Sequence, residues 1–343
     1  MRGKGINYDT GFYPGGKISR QEFGPDIVRR EMQVIARDLG CTAVRISGGE
    51  PERLSTAGEL AAAAGLEVWF SPFPCELSTE QLAPLFADCA DRAERLRRDG
   101  ASVVLVTGCE LSLFAAGFLP GDTVYERIAG LQTHDQRMFT AFAEMPAKLN
   151  GFLAETAAAV RDRFSGPVSY ASGIWEPVDW SPFDVAATDA YRESGNASEF
   201  RAQLRKGLGH GKPLVVTEFG CCGYAGAGDR GGTGWMIIDA DADPPQLDGE
   251  YTRDESEQVR YMQELQAIFE DEGVDLAFWF TFAGYELVHH AGPRQDLDLA
   301  SYGVVKMLET GPGTGYQGLG WEPKAAFGAL ARAKPARAKP ARA

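Results

Sequence analysis

Val103-Val104-Leu105-Val106-Thr107-Gly108-Cys109-Glu110 and Pro213-Leu214-Val215-Val216-Thr217-Glu218-Phe219-Gly220 are the two stretches on which the reading of this chain turns. Each is an apolar, β-branched run of strand length that ends at or next to a glutamate. A carboxylate at the tip of a buried strand is costly to desolvate, so it needs a compensating partner or a chemical task. Counted along the chain, these runs are the fourth and seventh of eight; the others are Gly5 to Asp9, Thr42 to Ser47, Glu67 to Phe73, Pro167 to Trp175, Asp184 to Tyr191 and Asp275 to Ala283. Between them lie helical patterns at Pro25 to Leu39, Glu52 to Ala64, Thr79 to Arg98, Asp135 to Phe164, Ser198 to Leu208, Asp254 to Glu272 and Pro323 to Ala331, some closing on glycine, as in Leu39-Gly40 and Ala64-Gly65. Alternating strands and helices imply a parallel sheet, and eight repeats imply closure. The expected fold is α/β, a single-domain (β/α)8 TIM barrel over residues 1–331. Both glutamates then emerge at the C-terminal face, where such barrels keep their chemistry, and paired carboxylates there point to glycosidic bond cleavage.

The 343 residues, 44% hydrophobic and 24% charged, suffice for one large core. A formal net charge of −14 repels nucleic acid, anionic membrane surfaces and heavily phosphorylated substrates, so the expected partner is a neutral or cationic small molecule. The opening Met1-Arg2-Gly3-Lys4-Gly5-Ile6 runs directly into a strand without the apolar stretch of a signal peptide. No segment has the apolar length to span a bilayer, and the expected location is the cytoplasm. Cys41, Cys75, Cys89, Cys109, Cys221 and Cys222 show no C-x-x-C spacing and read as reduced, mostly buried thiols. The stretch from Cys221 to Thr252 lacks periodicity and is long for a compact domain. Its glycines Gly223, Gly226, Gly228, Gly231, Gly232 and Gly234, followed by Trp235, suit a mobile lid with one aromatic platform after strand seven, although a plain surface excursion fits the composition too. Residues 332–343 repeat a basic Ala-Arg-Ala-Lys-Pro unit that cannot build a core, and they read as a disordered tail.

Several further residues reach the predicted barrel mouth. Asp9 ends strand one, Glu176 follows Trp175 at the end of strand five, Asp189 lies two residues before Tyr191, and Glu286 follows strand eight. Each is a substrate-binding candidate or, more plainly, a partner for backbone or arginine. Trp175, Trp180, Trp235 and Tyr285 have the ring faces to stack on a sugar, though an aromatic at a strand end often only packs. Metal readings are poor. His134, His210, His289 and His290 form neither H-x-H on the first strand nor H-E-x-x-H, and Asp239-Ala240-Asp241-Ala242-Asp243 with Glu250 mimics a calcium loop but has Pro244 where glycine is required. No lysine lies between Lys148 and Lys206, which argues against a Schiff-base aldolase, and no G-x-G-x-x-G follows the first strand. Gly231-Gly232 lies too far into its loop for a phosphate cradle. No metal and no cofactor is expected.

Arg45 late in strand two, Glu110 ending strand four, Tyr191 ending strand six, Thr217-Glu218-Phe219-Gly220 ending strand seven and Trp279 in strand eight resemble the pattern of clan A, the retaining TIM-barrel glycoside hydrolases. The resemblance covers nearly the whole chain, and Gly211 to Gly220 is its most specific piece. It implies Glu110 as acid/base and Glu218 as nucleophile, Arg45 and Tyr191 touching the nucleophile, and Trp279 flooring the sugar subsite. The chain departs from that pattern where Cys109 replaces the asparagine before the acid/base, and where Pro72 and Phe73 occupy the tip that usually carries a histidine. The chain is also similar to uncharacterised bacterial proteins labelled abortive-infection or phage-resistance factors. Independently of any family, a cation such as Arg45 beside Glu218 favours its ionised form, whereas apolar neighbours and a second carboxylate push Glu110 toward protonation. The expected activity is cofactor-independent retaining hydrolysis or transglycosylation of a small glycoside or glycosylated metabolite. Two alternatives stay open: a catalytically silent sugar- or partner-binding barrel, and a glycosidase-like fold doing acid/base chemistry on a natural product.

Overall fold

The computed structural model describes residues 1–131, 136–239, 241–309, 311, 313 and 315–333. Eight parallel strands close into a barrel: β1 (Gly5–Asp9), β2 (Ala43–Gly48), β3 (Glu67–Pro72), β4 (Val103–Cys109), β5 (Val168–Gly173), β6 (Ala186–Asp189), β7 (Leu214–Phe219) and β8 (Leu276–Trp279), with β8 pairing back onto β1. The chain is a (β/α)8 TIM barrel. Helices Pro25–Arg37, Pro51–Ala63, Thr79–Arg98, Gln136–Arg161, Phe200–Leu208, Glu255–Glu272 and Ala325–Arg332 match the sequence patterns to within a few residues.

Local chemistry sets the helix ends. Gln81 accepts a bond from the Ser78 amide at 2.9 Å to start Thr79–Arg98, which finishes in Arg95, Arg97 and Arg98 at the negative end of its dipole. Asp254 caps the Ser256 amide at 3.0 Å at the start of Glu255–Glu272, and Gly273 ends that helix at φ 82°, a conformation glycine adopts without strain.

Period-two alternation sorts the strand side chains into two cores. Ala43, Trp69, Val104, Val106, Ala171, Ala187, Val215, Leu276 and Phe278 fill the lumen, where Trp69 and Phe278 meet edge to face at 5.2 Å. Val44, Ile46, Val68, Phe70, Leu105 and Val216 face the helices. The alternation breaks at two places. The β4/β5 register shifts between Val106 and Cys109, and both neighbours of β7 slip against it after Val216. An extra residue at each point bends the strand end and re-aims the side chains beyond it.

Four features depart from the sequence reading. Leu111–Phe114 and Val124–Leu131 are helical within what read as one β4 connection. The stretch after β7 is packed and not structureless: Ile238–Asp239 pairs with Gln246–Leu247, Ile237 and Leu247 are fully buried, and Tyr224 and Tyr302 bond the Gly234 carbonyl and the Gly231 carbonyl at 2.9 and 2.7 Å. After β8, Val288–His289, Val305–Leu308 and Trp321–Pro323 form a small separate sheet. The last helix includes Arg332, one residue past the expected helix end at Ala331, and the buried Lys4 ammonium donates to the carbonyls of Leu330, Ala331 and Ala333. Residues 334–343 of the predicted tail lie outside the described residues. Among the described residues no helix is long and apolar enough to cross a membrane.

Candidate active site

The lumen faces of β1, β2, β4, β6 and β7 converge on one polar cluster beneath the C-terminal mouth. Arg45, on the inward face of β2 and 0% exposed, is its only cation among the described residues. Its guanidinium donates to Glu218 Oε1 at 2.6 Å, to Asn7 Oδ1 at 3.2 Å and to Ser71 Oγ at 3.1 Å. Tyr191 donates to the other Glu218 oxygen, Oε2, at 2.8 Å. Burial first and the Glu218 carboxylate second push the Tyr191 phenol well above its ordinary range, so it stays a donor. Glu218 thus sits in a buried, charge-assisted ion pair with 13% of its side chain exposed.

Glu110 stands in a different environment. It follows the β4 bulge in the left-handed conformation, φ 43° and ψ 45°, with its amide bonded to Ala171 O at 2.8 Å. Gly108, at φ 100°, makes the preceding turn. No side-chain hydrogen bond or ion pair to the Glu110 carboxyl occurs among the described residues. Desolvation first, then Asp189, Glu218 and Glu176, raise its proton affinity well above the ordinary carboxylate value, and Arg45 only partly opposes them. The chain after Glu110 is held from β5: Tyr170 OH accepts the Leu111 amide at 2.7 Å, and the buried Glu176 accepts from the Ser112 amide, the Gly173 amide and Tyr170 OH at 2.9, 3.0 and 2.8 Å.

Cys109 and Asp189 complete the cluster. Asp189, 2% exposed, lies beside Glu218 in the β6/β7 register and accepts the Cys109 thiol at 3.4 Å. Burial and then Glu218 hold the Asp189 carboxyl well above its ordinary value; burial and then Asp189 do the same to the Cys109 thiol. Ligating atoms of Cys109, Asp189 and Glu218 lie within 4.8 Å of one another, the single such group among the described residues. The Arg45 guanidinium already holds Glu218 Oε1 at 2.6 Å, so a metal ion in that group would meet a fixed cation on one of its three ligands.

The remaining predicted residues sort by position. Asp9, at the β1 tip, accepts the Gly11 amide at 2.7 Å and is raised chiefly by burial; the exposed Glu286 is raised by partial desolvation and then by Asp9. Both lie at the mouth. Trp175 packs across Gly173 and donates to Ser112 Oγ at 3.1 Å. Trp235, half buried, stands 6.2 Å from the Tyr125 ring. Trp279 is the correction: it is 0% exposed, bonded to Tyr302 O at 3.1 Å and packed on Phe219 outside the barrel, so it cannot floor a subsite. Phe280, half buried, follows β8 and joins the site through Tyr302. Its ring meets Tyr302 at 5.7 Å, and Tyr302 meets Tyr191 at 6.1 Å.

Trp180 and Tyr285 also leave the set of stacking candidates, since Trp180 packs on Phe183 and Tyr285 bonds Glu31 under the Arg20 guanidinium. His289 and His290 bond Asp296 and Glu309; His134 and Ala240 of the calcium-like run lie outside the described residues. Asn7, Ser71, Tyr170 and Phe280 were not singled out by sequence. For Asn7 and Ser71 the available signal was a polar residue on the lumen side of an apolar strand.

No protein-family model matches the chain, and no curated protein matches it. Solved structures do resemble it. A GH113 β-1,4-mannanase aligns over 96% of this chain and 98% of its own at 13% identity, with a TM-score of 0.61. The GH113 β-mannanase AaManA from Alicyclobacillus acidocaldarius, in complex with ManMIm, aligns over 96% and 95% at 18% identity, with a TM-score of 0.58. Thermotoga maritima Cel5A with mannotriose aligns over 88% and 96% at 13% identity, with a TM-score of 0.51. These neighbours are clan A glycoside hydrolases, and at such identities the likeness is one of fold. The similarity to abortive-infection proteins finds no support among them.

Proposed function

We propose that the chain is a cofactor-independent retaining glycoside hydrolase or transglycosidase acting on a small glycoside or glycosylated metabolite, with Glu218 as nucleophile and Glu110 as acid/base. The observation that carries this reading is the unequal environment of the two glutamates: one receives a guanidinium and a phenol, the other no donor from the described residues and a raised proton affinity. In the first step a Glu218 oxygen bonds the anomeric carbon while Glu110 gives its proton to the departing glycosidic oxygen, leaving a glycosyl ester on Glu218 and an ionised Glu110. In the second, Glu110 takes a proton from water or an acceptor hydroxyl, whose oxygen bonds the anomeric carbon and releases Glu218. Arg45 and Tyr191 orient the nucleophile; Glu176 and Tyr170 position Glu110 through the turn after it. The sugar complexes of its structural neighbours support a pyranoside ligand, and six free, mostly buried thiols support a reducing compartment such as the cytoplasm.

A silent sugar-binding barrel is the second reading, favoured by Cys109 standing where clan A carries a hydrogen-bonding amide. Azide separates the two. With an activated aryl glycoside, Glu110→Ala is expected to regain turnover and to yield a glycosyl azide of the substrate's configuration; Glu218→Ala is expected to yield the opposite configuration. Exchanged configurations would swap the two roles. Full activity in both variants would leave the glutamates as structure and end the two-glutamate mechanism, whereas no turnover of any glycoside by wild type would favour the silent barrel.

A further inference from the structure

We propose that Tyr125 and Trp235 form a roof across the barrel mouth that turns the site into a blind pocket for a lone or chain-terminal sugar, excluding the interior bonds of a polysaccharide. This substrate class rests on the glycosidase reading above.

The case is topological. Tyr125 lies in the connection after β4, which carries Glu110 at its base, and Trp235 lies in the connection after β7, which carries Glu218. These strands are separated by β5 and β6 on one side of the barrel and by four strands on the other. Ring contact at 6.2 Å between their loops therefore spans the mouth above the two strand ends. The same Tyr125 ring also meets the β1 loop. A Cβ on Gly15, in the β1 loop, would lie 2.8 Å from its ring. Burial first and then Cys75 and Glu76 of the β3 loop and Glu286 of the β8 loop raise its phenol.

The roof is tied down at both ends. The Glu76 carboxylate accepts from the Gly15 amide at 2.8 Å and from the Val124 amide at 3.1 Å, joining the β1, β3 and β4 loops. On the far side the Trp235 segment hangs from Tyr302, which accepts the Gly234 amide at 3.0 Å and donates to Gly231 O. Phe12, Phe73 and Phe114 pack tilted against one another at 4.9 and 4.7 Å, an apolar cluster in the β1, β3 and β4 sector. A polymer must leave the scissile bond in both directions through an open cleft, whereas five connected loops close one. Tyr125 itself is 47% exposed, so the contact is a cover at the surface and not part of the core.

The test compares wild type, Tyr125→Ala and Trp235→Ala, the last opening the same contact from the other loop. With matched aryl glycosides and long manno- or cello-oligosaccharides, the ratio of kcat/KM for the internal oligosaccharide bond to that for the aryl glycoside is expected to rise at least about tenfold on Tyr125→Ala. Internal cleavage by wild type at a rate like that of the aryl glycoside would overturn the roof and leave the glycosidase reading intact. Absence of turnover on every glycoside would end that reading, and the roof is then judged without catalysis: peptide mass mapping after treatment with a small and a bulky carbodiimide reads access to Glu110 and Glu218. The bulky reagent is expected to modify them in the Ala variants and not in wild type; equal modification of all three proteins overturns the proposal.

Discussion

Asp189→Asn replaces a carboxyl whose proton affinity the fold raises well above the ordinary value with an amide of the same shape that cannot ionise. Burial is the larger cause of the raised proton affinity, and repulsion from Glu218 is the next. The Asp189 and Glu218 oxygens are no more than 4.8 Å apart. At an effective dielectric of about 20, unit charges at that separation repel by roughly 3.5 kcal/mol. Desolvation adds to this and Arg45 subtracts. Proton counting gives the sign. Above about pH 4 the unfolded chain releases the Asp189 proton while the folded chain keeps it, so wild-type stability falls as pH rises toward the folded pKa, by about 1.4 kcal/mol per unit for this group. The Asn variant lacks that penalty. The two proteins are expected to differ least near pH 4, and the variant is expected to gain on wild type by at most about 1.4 kcal/mol for each pH unit above it. Urea or thermal unfolding across that range measures it. A difference that stays flat with pH would mean that Asp189 is ionised in the fold and that Arg45 neutralises it alongside Glu218.

Arg45→Met strands the Glu218 carboxylate in a buried site and is expected to cost about 3–5 kcal/mol by urea titration at pH 7; a loss under about 1 kcal/mol would show that water reaches the pair. Glu176→Ala leaves the Ser112 and Gly173 amides without their acceptor, with an expected loss of roughly 1–3 kcal/mol for each group left unsatisfied and a fall in kcat larger than any rise in KM; an unchanged kcat would detach Glu176 from the placement of Glu110. Deleting residues 334–343 keeps the Lys4 bonds to Leu330, Ala331 and Ala333, so Tm is expected to stay within about 1 °C, and a lowered midpoint would show that the tail docks.

The barrel was legible in sequence because its information is local and repeated. Each strand run alternates or is wholly apolar, each helix carries its face and its stop, and the order of the elements leaves one closed parallel solution. The two glutamates could be found because a carboxylate at the end of an apolar run is conspicuous. Their aim could not be found. Straight alternation from Val215 points Thr217 and Phe219 inward and Glu218 outward; an irregularity after Val216 puts Phe219 on the helix side and leaves Glu218 facing Arg45. Likewise the β4 irregularity brings Cys109 into the lumen with Val104 and Val106, and Glu110 comes next in a left-handed turn. By contrast Trp279 obeys simple alternation after Leu276 and Phe278, which places it outside the barrel, and counting by two would have removed it from the site. The pairing of Cys109 with Asp189, the raised proton affinity of Asp189, and the meeting of Tyr125 with Trp235 join residues from separate strands and loops. Sequence alone set the strand-and-helix order and the acidic side chains at strand ends, because those are properties of neighbours along the chain. Only closure of the barrel decided which of them meet a cation, a thiol or one another, because bulges and loop contacts arise from packing between segments far apart in sequence.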